Sequence, residues 1–128
     1  MLDTNIVSHI MQGRDAGLLQ RLAQVAVGDI VISSVTLAEV EYGLSRKGHP
    51  ARLKNALEQL LLRVDVLPWD ETVARCYGEL CASLEAKGVS LSDMDMMIAA
   101  HAVAVDATLV SRDKAFGQMP QRLRVDVW

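Results

Sequence analysis

Two periods run through the apolar positions of the chain. Spacings of three and four mark amphipathic helices, and short continuous apolar runs mark strands covered on both faces. Met1-Leu2 reads as the end of a short strand, followed by a helix from about Asn5 to Gln12 that Gly13 stops. A second helix, about Ala16 to Ala26, places Leu18, Leu19, Leu22 and Val25 on one face, and Gly28 ends it. Ile30-Val31-Ile32-Ser33 has the length and composition of a doubly covered strand and is expected at the centre of a sheet. A helix starting near Ser34 or Thr36 then runs to about Lys47 with Leu37, Val40 and Leu44 inward, and Gly48 stops it. Pro50 opens the next, whose stripe is Leu53, Leu57, Leu60 and Leu61.

Val64 to Leu67 is a short strand candidate, and Asp70 caps a long helix to about Lys87 that turns Val73, Cys76, Tyr77, Leu80 and Leu84 inward before Gly88. Ser92 caps a helix to about Val105, Thr108-Leu109-Val110 forms another buried strand, and Val125-Asp126-Val127 an edge strand. Strands separated by one or two helices are what right-handed crossovers require. The expected class is therefore α/β: a short, mostly parallel sheet flanked by helices on both faces.

Length and composition narrow this further. A chain of 128 residues with no linker or repeat is expected to form one domain over 1–128, large enough to bury a core without disulfides or a structural metal. Cys76 and Cys81 lie five positions apart on one helix, on different faces, so a disulfide between them is not expected. No signal peptide and no apolar run long enough to span a bilayer is visible, which makes the cytoplasm the expected location. The net charge of −3 argues against a broad basic nucleic-acid-binding face. It does not exclude an RNA substrate, because carboxylates that converge on cations lose their charge in the working state.

The placement of the acids changes the picture most. Asp3 follows the first strand, Glu39 lies one turn into the helix after the Ile30 strand, and Asp113 follows the Thr108 strand. Asp93 and Asp95 open the helix that precedes that strand. The carboxyl ends of parallel strands share one edge, and ligands of such folds bind there. Four acidic positions can meet at that edge. Such a cluster repels itself unless protonated or bound to cations, and oxygen-only ligands select Mg²⁺ or Mn²⁺. Carboxylate-bound Mg²⁺ suits phosphodiester cleavage. Zinc is disfavoured, since His9, His49 and His101 have no ligand spacing.

Asp3, Ser34, Thr36, Ser92 and Asp113 are also good helix caps, and Asp95 can pair with Ser92 in a capping box, reaching back to the Ser92 N–H in competition with metal. Glu41 lies about 200° around the helix from Glu39, so only one faces the crevice, and Glu39 is preferred. The same geometry separates Asp93 from Asp95. His101, in an Ala-rich stretch, reads as packing, as do Met94, Met96 and Met97. Arg46, Lys47, Arg112 and Lys114 are candidate phosphate contacts or ordinary surface charges.

Four strings in order carry a family resemblance: Met1-Leu2-Asp3-Thr4-Asn5, then Ile32 through Gly43 with Glu39 within it, then Asp95 through Ala102, then Thr108 through Asp113, followed by Phe116 and Trp128. Over nearly its whole length the chain resembles the PIN-domain family, and within it the VapC-type toxins of bacterial toxin–antitoxin pairs. The resemblance implies a Mg²⁺- or Mn²⁺-dependent endoribonuclease that cleaves a structured RNA such as tRNA or rRNA. It also implies a homodimer, or a hetero-oligomer with a cognate antitoxin whose C-terminal segment enters the active-site groove. Asp3, Glu39, Asp95 and Asp113 take the family's acidic positions, with Asp3 and Asp95 as metal ligands and Thr4 and Ser111 as hydroxyl neighbours. The chain departs from the pattern in three places: only Met1 and Leu2 precede the first acid, Ser92 stands where many relatives have Gly and Asp93 adds an acid beside it, and Arg112-Asp113 stands where some have two Asn. Two rival readings are an aspartyl-nucleophile phosphatase and a non-catalytic module that binds a basic peptide in an acidic pocket. Phosphatases of the first kind carry Asp-x-Asp after strand one, and Asp3-Thr4-Asn5 does not.

Overall fold

The computed structural model describes residues 1–89, 91–119 and 122–128. Among the described residues, six helices and four short strands follow one another as α1 (Thr4–Gln12), α2 (Ala16–Gln24), β1 (Val31–Ser33), α3 (Ser34–Arg46), α4 (Ala51–Leu61), β2 (Asp65–Leu67), α5 (Glu71–Glu85), α6 (Asp93–Ala104), β3 (Leu109–Val110) and β4 (Val125–Asp126), with a 3₁₀ turn at Lys114–Gln118 between the last two. β1 pairs parallel with β2, and β3 parallel with β4. Leu2 joins the pairs, bridging Ile32 on one side and Val110 on the other, both parallel. Its N–H donates to the Val31 carbonyl at 2.9 Å, the Asp3 N–H to Val110 at 3.1 Å, and the Val110 N–H to Met1 at 2.7 Å. The order across the sheet is β2, β1, Leu2, β3, β4, with every segment pointing the same way.

The expectation that Ile30–Ser33 is central needs correction: Ile32 lies inside the sheet, but the centre is Leu2, a single bridging residue. Side chains alternate across the sheet as the pleat demands. Leu2, Ile32 and Val110 enter a core closed by α1, α2, α3 and α4, while Met1 and Leu109 enter a second core closed by α5 and α6. Helices therefore cover both faces. α6 is buried nearly all round, with Ile98, Ala99, Ala100, His101 and Ala102 all inaccessible, and packs against α5 and α3. Its alanines allow close approach.

Most helix boundaries match the spacing of the apolar stripes. α2 stops at Gln24, two residues early, with Val25 already extended at φ −86 and ψ 137. α3 is capped by Ser33 and not by Ser34 or Thr36. The Ser33 hydroxyl accepts from the Val35 N–H at 3.1 Å, Ser34 accepts instead from the Trp69 N–H at 3.1 Å, and Thr36 is buried in the helix. Cys76 and Cys81 are free thiols.

Candidate active site

Strand ends and helix starts coincide at the carboxyl edge of the sheet, because each parallel strand turns directly into its crossover helix. Asp3 ends the Leu2 bridge and caps α1, its Oδ1 accepting from the Ile6 N–H at 2.6 Å. Asp113 follows β3 and caps the 3₁₀ turn, its Oδ1 accepting from the Ala115 N–H at 2.8 Å. Ser92 caps α6: its Oγ accepts from the Asp95 N–H at 3.2 Å and donates to Asp95 Oδ2 at 2.5 Å. Glu39, half-buried one turn into α3, accepts from Thr4 Oγ1 at 2.5 Å. The capping and functional readings of these residues are thus not alternatives, since the same side chains end the strands and face the edge. The expected reach of Asp95 back to the Ser92 N–H is replaced by the hydroxyl–carboxylate bond.

Asp3 is the electrostatic focus. It is only 3% exposed, and burial pushes its carboxyl above the ordinary value of 3.8; hydrogen bonds from the Ser111 hydroxyl and the Ile6 N–H pull it back, and the charges of Asp95 and Asp113 push it up again. Asp95 and Asp113 are therefore near enough for their charges to act on Asp3. Ser111 is buried beside Asp3, where its hydroxyl favours the ionised carboxyl, and it accepts from the Asp113 N–H at 3.0 Å. Glu39 is tied to the group through Thr4, while Glu41 is exposed. Asp93 is exposed on the other side of α6, where its charge acts on Tyr77 of α5.

Among the described residues, no three His, Cys, Asp or Glu side chains gather tightly enough to share one ion. Asp3, Asp95, Asp113 and Glu39 are each held by a local donor. The donor set nonetheless suits a hard cation, being all carboxylate and hydroxyl oxygen, with like charges around a desolvated Asp3 that a cation would relieve. The partial positive charge at the starts of α1, α3 and α6 favours both the carboxylates and an incoming phosphate.

Two residues weighed from the sequence lie elsewhere. His101 is wholly buried, its Nδ1 2.8 Å from the Ser33 hydroxyl, and burial pushes its pKa below 6.5 against the pull of the Asp70 charge. It supports the start of α3 and does not reach the edge. Arg112, though exposed, is engaged in an ion pair with Asp15 at 2.7 Å. These two residues lie 97 positions apart, and no local pattern announces the pair.

Comparison with known proteins gives the family and the fold. A family model described as the PIN domain matches residues 1–121. Ribonuclease VapC2 of Rickettsia felis is 34% identical over 122 residues, 94% of this chain and 91% of the relative. The tRNA(fMet)-specific endonuclease VapC of Shigella flexneri is 32% identical over 128 residues, 100% of this chain and 96% of the relative. Among solved structures, VapBC2 from Rickettsia felis bound to a promoter DNA fragment superposes with a TM-score of 0.93 at 32% identity, covering 100% of this chain and 97% of that one.

Proposed function

The chain belongs to the PIN-domain family, and from that premise we propose that it is a Mg²⁺- or Mn²⁺-dependent endoribonuclease, the toxin of a toxin–antitoxin pair. The observation that carries the proposal is the buried Asp3 carboxylate at the sheet edge, whose ionisation the nearby charges of Asp95 and Asp113 oppose. Asp3 and Asp95 would hold the ion, with Asp113 beside them. Bound there, a divalent cation supplies charge neutralisation at the phosphoryl oxygens and a lowered pKa for a water.

The chain's own residues supply the rest. Ser111 and the Ile6 N–H fix the Asp3 carboxylate, so its free lone pairs keep one direction. Thr4 holds one oxygen of Glu39, which leaves the other to orient a water or accept its proton at the reacting phosphodiester. The starts of α1, α3 and α6 offset the negative charge of an arriving RNA backbone. The relatives' names make initiator tRNA the first substrate to test.

The partner is a small antitoxin. An arginine of its C-terminal segment would enter between Asp3 and Asp95, since a guanidinium fork complements paired carboxylates. A groove between α1 and α3, lined by Met11, Val40, Leu44 and Leu53, opens beside Glu39 and offers apolar contact to the same segment. The working assembly is a homodimer or a toxin–antitoxin hetero-oligomer, located in the cytoplasm; among the described residues no helix is long and apolar enough to cross a membrane.

The test is cleavage of initiator tRNA by purified protein in Mg²⁺ or Mn²⁺, in EDTA, and after metal is restored. Activity should vanish in EDTA and return with metal. Undiminished cleavage in EDTA overturns the metal mechanism; binding of a basic peptide with no cleavage under any metal leaves the non-catalytic acidic pocket as the correct reading.

A further inference from the structure

The segment from Ser111 to Asp113 continues β3 and carries two groups of the site, and it ends extended at Asp113, with φ −78 and ψ 119. In such a segment alternate side chains point to opposite sides. Ser111 turns inward to Asp3, and Asp113 caps the following turn beside it. Arg112, between them, turns the other way. Its Nη2 donates to Asp15 Oδ2 at 2.7 Å and its Nε donates to the backbone carbonyl of Trp128.

Both acceptors are themselves fixed. Asp15 uses its other oxygen, Oδ1, to cap α2 by accepting from the Leu18 N–H at 3.0 Å. The strand end at 125–128 is held by the Ser111 N–H on the Asp126 carbonyl at 3.0 Å, by Arg21 on the Val127 carbonyl at 2.8 Å, and by Trp128 packing on the first core. Arg112 thereby ties the turn that carries Asp113 to two anchors distant in the sequence.

We propose that Arg112 is a positioning residue: it clamps the Ser111–Asp113 turn against the cap of α2 and the Trp128 carbonyl, and so sets Ser111 and Asp113 relative to Asp3, instead of contacting RNA phosphate. The catalytic part of this proposal rests on the ribonuclease reading; the clamp itself does not. A planar guanidinium holds two acceptors at once, which a lysine ammonium on a flexible stem does not reproduce.

The experiment uses full-length Arg112→Gln, Arg112→Lys, Asp15→Asn and the double variant Arg112→Gln/Asp15→Asn. Asn caps a helix as well as Asp, so Asp15→Asn weakens the clamp and keeps α2. The first readout needs no activity: amide exchange across residues 111–115 of the metal-free protein. It should quicken about tenfold in both Arg112 variants, less in Asp15→Asn, which leaves the Trp128 contact, and no further in the double variant than in Arg112→Gln. The second is steady-state cleavage of initiator tRNA: kcat should fall about tenfold in Arg112→Gln with KM within about twofold, Lys should not rescue, and the double variant should match Arg112→Gln. If Arg112 instead binds phosphate, Arg112→Gln raises KM and lowers the salt dependence by about one charge, Lys restores it, and Asp15→Asn is silent. That pattern overturns the proposal, and so does unchanged exchange in Arg112→Gln. Wild-type protein without cleavage, together with quickened exchange in the variants, overturns the ribonuclease reading and leaves the clamp standing.

Discussion

Asp93 and Asp95 offer the sharpest separation of chemistry from helix capping. Both sit in the first turn of α6, where a negative charge favours the helix by about 0.3–1 kcal/mol. Two positions along a helix turn a side chain by about 200°, and the surroundings show the result: Asp95 is half-buried and acts on Asp3, whereas Asp93 is exposed and acts on Tyr77. Asn at either position should remove the dipole contribution alone, but only Asp95→Asn should remove a metal ligand. A ligand that binds only the folded state stabilises it by RT ln(1 + [L]/Kd), about 1.4 kcal/mol when the metal is at ten times its dissociation constant. At about 2 cal/mol/K of unfolding entropy per residue, that raises Tm by about 5 °C in a chain of 128 residues. Thermal unfolding with EDTA and with saturating Mn²⁺ should therefore show the shift in wild type and in Asp93→Asn, and lose most of it in Asp95→Asn. Cleavage should follow the same order, abolished by Asp95→Asn and largely kept by Asp93→Asn. If Asp95→Asn keeps both the shift and the activity while Asp93→Asn loses them, the side chain assigned to the site is the wrong one.

Leu2→Ala should destabilise the protein by about 3–4 kcal/mol, the cost of emptying a fully buried leucine site, with urea unfolding as the assay; a loss below about 1 kcal/mol would show that the sheet does not depend on it. Below pH 6.5 the unfolded chain takes a proton that buried His101 resists, so stability should fall as pH drops from 6.5 toward its depressed native pKa; His101→Gln should flatten that slope in denaturant titrations. Asp3 has the opposite sign: without metal its stability cost is absent below pH 3.8 and complete above its raised native pKa. Asp3→Asn, which keeps the cap, should therefore stabilise the metal-free protein at pH 7, and an unchanged or lowered midpoint in EDTA would contradict the burial of its charge.

The helices were readable because each carries an apolar stripe and a cap, as α5 does with Val73, Leu80 and Leu84 behind Asp70. α6 had no stripe to read, being buried all round, and only Ser92 marked its start. Met1-Leu2 was readable as a strand end, but not its place at the sheet's centre, since one bridging residue has no period. Three hydroxyls in a row, Ser33, Ser34 and Thr36 with Val35 among them, hid which one caps α3; the choice depends on Trp69 and His101, far along the chain. At the site, element order and spacing were enough to expect Asp3, Glu39, Asp95 and Asp113 at one edge. The donors that hold them, and the turning of Arg112 to Asp15, depend on tertiary contacts that no local pattern encodes.

The one-residue bridge at Leu2 also bears on when the protein becomes dangerous to the cell that makes it. Leu2 has no place in a sheet until both Ile32 and Val110 exist, and β3 in turn is flanked by β4 at the far end of the chain. At about 5–20 residues per second, the ribosome delivers Asp113 on the order of ten seconds after Asp3. Until then the first acid stands exposed on an unpaired segment, next to neither Asp95 nor Ser111. A nascent chain therefore carries no assembled site until β3 has been made.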